Sequence, residues 1–96
     1  MRVIVSPSVW KAIDGIVVYL EDNFGYALAD EIRAEIENTI YQLEDFPFLW
    51  PIDVAKNGTL IRKAQVRNRT IIAYTVDEAA GEVLILDVFA AKTDWK

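Results

Sequence analysis

Five cations fall within sixteen residues: Lys56, Arg62, Lys63, Arg67 and Arg69 occupy positions 54–69, and no carboxylate interrupts them. Guanidinium and ammonium groups at that density attract phosphates or carboxylates, so the block reads as a local site for an anionic partner. What is missing narrows the chemistry further. The chain has neither histidine nor cysteine, which removes imidazole bases, thiol nucleophiles, disulfides and every zinc site that needs either residue. Its only serines, Ser6 and Ser8, have no histidine to activate them. Four glycines, at 15, 25, 58 and 81, form no phosphate-cradling loop. No cofactor and no metal is expected, and a self-contained enzyme with familiar catalytic groups does not fit this composition.

The cations sit in an acidic chain. Its formal net charge is −5, and residues 14–53 carry ten acids against one base, Arg33. Such a surface repels phosphate, which argues against direct nucleic-acid binding. Two readings of the basic block therefore stand together. It docks an anionic partner, or it complements the acidic helices of the same molecule.

Ninety-six residues suffice for a single domain spanning 1–96, and 53% hydrophobic content is too high for a disordered segment. No apolar run approaches the ~20 residues of a membrane span, and no signal peptide opens the chain, so a cytoplasmic protein with no membrane partner is expected.

Arg2-Val3-Ile4-Val5 reads as a short strand, stopped by Ser6-Pro7, a helix N-cap followed by proline in the first turn. Val9, Ile13, Ile16, Val17, Leu20 and Phe24 recur at helical spacing up to Gly25, which ends the helix. Asp14 and Gly15 interrupt that apolar surface, and Gly15 offers room for close approach of a second helix. That helix carries Leu28, Ile32, Ile36, Ile40 and Leu43 on one side, so the pair forms a hairpin. The stretch Phe46-Pro47-Phe48-Leu49-Trp50-Pro51 is a packed loop that cannot be helical, and Asn57-Gly58 signals a turn. Thr59–Val66, Thr70–Val76 and Glu82–Ala90 then read as a three-strand antiparallel meander. The class is α+β, in the order β-α-α-β-β-β, with the helical hairpin on one face of the sheet.

Strict alternation makes both faces of the last two strands apolar. One face takes Ile71, Ala73, Val83, Ile85 and Phe89; two helices cover only one side of a sheet. The second face calls for the proline-rich loop, sheet curvature or another polypeptide, and an exposed patch above a few hundred Å² marks an interaction site.

The order strand, helical hairpin, then meander with arginines at its start resembles the RelE/ParE superfamily of toxins from bacterial type II toxin–antitoxin pairs. Similar features run along nearly the whole chain. They include the Ser6-Pro7-Ser8 break, the stretch from Leu43 through Pro47 and Pro51 to Gly58 and Arg62, and Tyr74-Thr75-Val76-Asp77. The last strand from Val83 to Phe89 and the closing Lys92-Thr93-Asp94-Trp95 are also similar. The ribosome-dependent ribonucleases of the RelE branch carry Tyr-Arg where this chain has Thr70-Ile71. They often carry His and Arg where it has Ala90 and Lys92-Thr93. Without that arginine a cleaved phosphate loses a stabiliser, and without histidine acid–base work falls to Lys or Tyr. The resemblance thus implies the ParE-like branch, whose members poison DNA gyrase by binding it. The RelE-like ribosome-dependent endoribonuclease and a degenerate, non-toxic or self-associating relative remain as alternatives.

On that resemblance the partners are a cognate antitoxin and DNA gyrase. Arg62, Lys63, Arg67, Arg69 and Lys92 are the candidate basic contacts for target or antitoxin, with pairing of Arg62 to helix-two glutamates as the competing reading. Ile71, Ala73, Val83, Ile85 and Phe89 are the candidate apolar surface for antitoxin, and Asp94 and Trp95 form a C-terminal tag. Trp10, Trp50 and Tyr74 read as core or loop anchors.

Overall fold

The structure, a computed structural model, describes residues 1–91. Strand β1 (Arg2–Val5) leads into helix α1 (Pro7–Phe24). Helix α2 (Tyr26–Gln42) follows after a single linking residue, Gly25, at φ 91°. Four strands complete the described chain: β2 (Ile52–Lys56), β3 (Thr59–Val66), β4 (Thr70–Asp77) and β5 (Glu82–Ala90). They join β1 in one mixed sheet of order β1-β5-β4-β3-β2, with β1 parallel to β5 and the other neighbours antiparallel.

Local chemistry accounts for most boundaries. The Ser6 hydroxyl accepts from the Val9 N–H at 3.4 Å and caps α1, a contact of the kind that contributes about 1 kcal/mol. Helix–sheet packing then buries Val9, Ile13 and Val17 from α1 and Ala29, Ile32, Ile36 and Ile40 from α2. These meet Val66, Ile72, Tyr74, Val83, Ile85 and Val88 in one apolar cluster. Ile36 is fully buried, so truncating it to alanine costs on the order of 2–5 kcal/mol.

The α+β class and the helical hairpin agree with the sequence expectation, and the meander keeps its bounds within one residue. One strand was missed. The segment expected to remain loop up to Asn57-Gly58 contains β2, which pairs with β3 and forms an edge of the sheet. Asn57 and Gly58 lie at φ 53° and 80°, the double left-handed conformation of a two-residue hairpin. A turn of that kind joins two strands, so β2 is the partner that the turn requires.

A second correction concerns alternation. The β4–β5 register runs Thr75↔Leu84 and Tyr74↔Ile85, then jumps to Ala73↔Asp87 and Ile71↔Phe89. Leu86 is the extra residue of a β-bulge, and it resets which way the rest of β5 points. Val83, Ile85 and Val88 face the helices, whereas Phe89 lies on the opposite side beside Ile71.

Candidate functional site

The bulge divides the five residues expected to share one apolar face. Val83 and Ile85 belong to the core beneath the helices; Ile71, Ala73 and Phe89 stay together on the outer face. That face is not bare. β4 is the central strand of five, and Ile71 and Ala73, flanked in register by Gln65 and Phe89 and by Lys63 and Asp87, are each only 8% exposed. Phe89 is half-buried, with the Lys63 ammonium 5.8 Å from its ring centroid. The premise that two helices leave this side needing a second chain is corrected by these burials.

Three of the five clustered cations turn inward. Arg67 Nε donates to both carboxylate oxygens of Glu35 at 2.9 and 3.0 Å, and its Nη2 donates to Glu31 at 3.0 Å. The Glu35 and Glu31 hydrogen bonds hold its guanidinium above the ordinary arginine value. Lys63 Nζ lies 3.1 Å from Asp53 on β2. Among the described residues Arg62 pairs with no glutamate: its Nη1 donates to the Trp50 carbonyl at 2.6 Å, and its guanidinium carbon lies 5.1 Å from the centroid of the Phe48 ring. Tyr74, fully buried and in register with Arg62, donates its hydroxyl to the Pro47 carbonyl at 3.0 Å. Burial pushes the Tyr74 phenol above its ordinary value, against the opposing pull of a Trp50 backbone hydrogen bond and the Arg62 charge.

Arg69 is different. Among the described residues its guanidinium has no ion pair or hydrogen-bond partner, and it stands at the rim of an apolar groove. The groove holds about 550 Å³, with α1 residues Ala12, Gly15, Ile16, Tyr19, Leu20 and Phe24 forming one wall. Ile32, Thr70 and Ala90 complete it. A smaller hollow of about 300 Å³ shares Leu20, Phe24, Ile32 and Arg69 and continues to Leu28 and Arg67. Sequence reading assigned Ile16, Leu20 and Phe24 to the core stripe. Ile16 and Leu20 are instead half-buried groove wall, and Phe24 is exposed, edge-on to Tyr19 with centroids 6.5 Å apart. Gly15 does not serve close helix approach, since a Cβ there would meet nothing within 4 Å. Lys92, Asp94 and Trp95 lie outside the described residues.

A separate apolar surface lies at the β2 edge, where Phe46, Phe48, Leu49, Ile52, Val54 and Leu60 are each exposed. Among the described residues no helix is long and apolar enough to cross a membrane.

A search of curated proteins finds no match to this chain. A family model does match: residues 3–95 fit the ParE toxin of the type II toxin–antitoxin system parDE, and the chain belongs to that family.

Proposed function

We propose that the chain arrests growth by binding DNA gyrase in the cytoplasm, without chemistry of its own, and that a cognate antitoxin neutralises it. Membership of the ParE toxin family supports the toxin role. The observation that favours binding over RNA cleavage is the fate of the basic block. Arg62 is spent on the Trp50 carbonyl, Arg67 on Glu31 and Glu35, and Lys63 on Asp53. Guanidinium groups held this way are not free to converge on a scissile phosphate, and the chain carries no histidine to move the protons.

Induction in a bacterial host, alone and with the antitoxin gene, tests the reading. The expected result is growth arrest reversed by antitoxin, together with lost DNA supercoiling when purified chain is added to gyrase. Unimpaired supercoiling alongside messenger cleavage on ribosomes would overturn it in favour of the endoribonuclease.

A further inference from the structure

We infer that β2 and the loop before it form a two-fold interface between two copies of this chain, paired antiparallel about Ala55 and closed by the exposed apolar side chains beside that edge. The interface shares no residue with the α1 groove and does not depend on which target the chain binds.

The backbone supplies an open edge. β2 is the last strand of the sheet, with β3 on one side and, among the described residues, no strand on the other. Lys56 and Thr59 flank the Asn57-Gly58 turn as the hydrogen-bonded pair that closes a two-residue hairpin. Ala55, opposite Leu60, is therefore a non-hydrogen-bonded position, and its N–H and C=O point away from β3. A second β2 running antiparallel, with Ala55 against Ala55, accepts from that N–H and donates to that carbonyl. β2 is short, bulged between Ile52 and Val54, and ends in Lys56, features that guard an edge against extended pairing. They leave room for a short contact with one fixed centre.

Side chains decide that the occupant is a second copy. Leu60 shares the helix-side face with Arg62 by alternation, Ile52 is in register with Arg62, and Phe48 lies over its guanidinium. With Phe46 and Leu49 these residues present on the order of 500 Å² of apolar surface, the size of patch that marks an interaction site. Two such patches and the paired strands bury about 1,200 Å², which reaches the range of specific interfaces. Arg62 and Tyr74 hold the loop at two carbonyls, so little ordering remains to be done on association.

Charge agrees with the pairing. The 3.1 Å contact with Lys63 places Asp53 on the outer face of the sheet, which Lys56 shares through its register partner Thr59. With Ala55 on the two-fold axis, Lys56 of one copy falls opposite Val54 of the other, beside Asp53. Lys56 has no ion pair among the described residues of its own chain. The net charge of −5 does not oppose this contact, because Asp53 is the single acid in positions 46–66, against Lys56, Arg62 and Lys63.

Sedimentation equilibrium of the purified full chain tests the interface. Wild type is expected to dimerise with a Kd on the order of 10 µM. Ala55→Pro removes the outward N–H and spares the β3 ladder, so it should weaken the dimer at least roughly tenfold while the chain still melts cooperatively. Leu60→Glu, at an exposed position, should do the same. Lys56→Glu should weaken the dimer roughly tenfold at low salt and less at high salt. Tyr19→Ala, in the α1 groove, should dimerise as wild type does. A wild-type chain that is monomeric at about 200 µM would overturn the interface. A dimer that survives both Ala55→Pro and Leu60→Glu, or that Tyr19→Ala abolishes, would overturn it too. A monomeric chain whose folded Leu60→Glu variant no longer inhibits gyrase would give the patch to the target instead.

Discussion

Arg62 holds the carbonyl of Trp50, twelve residues earlier in the chain, at 2.6 Å. Its register partner Tyr74 holds the Pro47 carbonyl of the same loop at 3.0 Å. Neighbouring strands thus pin the segment from Phe46 to Pro51 at two carbonyls, and Phe48 stacks its ring over the Arg62 charge. The basic residue that best matches the toxin resemblance is therefore an anchor for a loop whose Phe46, Phe48 and Leu49 face solvent.

If so, Arg62→Ala should lower stability by roughly 1.5–3 kcal/mol, the range for a hydrogen bond to a charged group. Urea denaturation measures the loss, and protease cleavage near Leu49 should accelerate. Toxicity should fall in step with the fraction folded. A variant of wild-type stability that has lost toxicity would instead make Arg62 a direct contact for the target.

The raised phenol value at Tyr74 has a definite sign in pH. The unfolded chain ionises this tyrosine near pH ~10, before the folded chain does, because the buried ring resists carrying charge. The contribution is fully present below that pH and is lost as pH climbs through the higher folded value. Wild type should accordingly lose stability faster than Tyr74→Phe as pH rises above about 10, as read from urea midpoints at each pH. Parallel curves for the two proteins would mean that burial does not hold the phenol neutral.

Arg67 combines an unfavourable backbone with favourable charges. It and Asn68 sit at φ 54° and 56° in the β3–β4 turn, a region that L side chains with a Cβ avoid and asparagine tolerates. Its guanidinium reaches back to Glu31 and Glu35 on α2. Arg67→Asn relieves the backbone and removes the ion pairs, so the two effects separate with ionic strength. The variant should be the more stable protein in about 1 M salt, where exposed pairs are screened, and should lose that advantage at low salt. Urea midpoints at the two salt concentrations check both halves.

The sequence made the helices and meander legible because each rests on local signals: Ser6-Pro7, the helical stripes, Gly25, and β-rich runs split by short turns. Strand β2 was legible too, in hindsight. Ile52-Asp53-Val54 alternates apolar and polar, and Asn57-Gly58 needs a strand on both sides. Pro51 and the crowded aromatics before it drew the segment into the loop instead. The bulge at Leu86 could not be read, because an extra residue in one strand is defined only against its partner's register. With it went the assignment of Val83 and Ile85 to the outer face. The groove was hidden for a related reason. Ile16 and Leu20 fit the helical stripe as well as Val9 and Ile13 do, and only the sheet's position decides which of them are covered. Pairing of the basic block with the acidic helices, one of the two readings of its charge, holds for Arg67, whereas the Lys63 partner Asp53 lies on β2. The carbonyl partner of Arg62 was not legible, because a backbone acceptor leaves no mark in composition.

Gly15 gives the sharpest test of stability. Alanine there adds a methyl group that meets no atom within 4 Å, so neither overpacking nor backbone strain opposes the gain in helix propensity. Gly15→Ala should therefore stabilise the chain by about 0.5–1 kcal/mol, or several degrees in melting temperature for a domain of this size. Differential scanning calorimetry of the two proteins is sufficient. An unchanged or lower melting temperature would mean that solution packing brings another element against α1 at this point. A raised melting temperature would mean that no other element of the free chain packs against α1 at this point in solution.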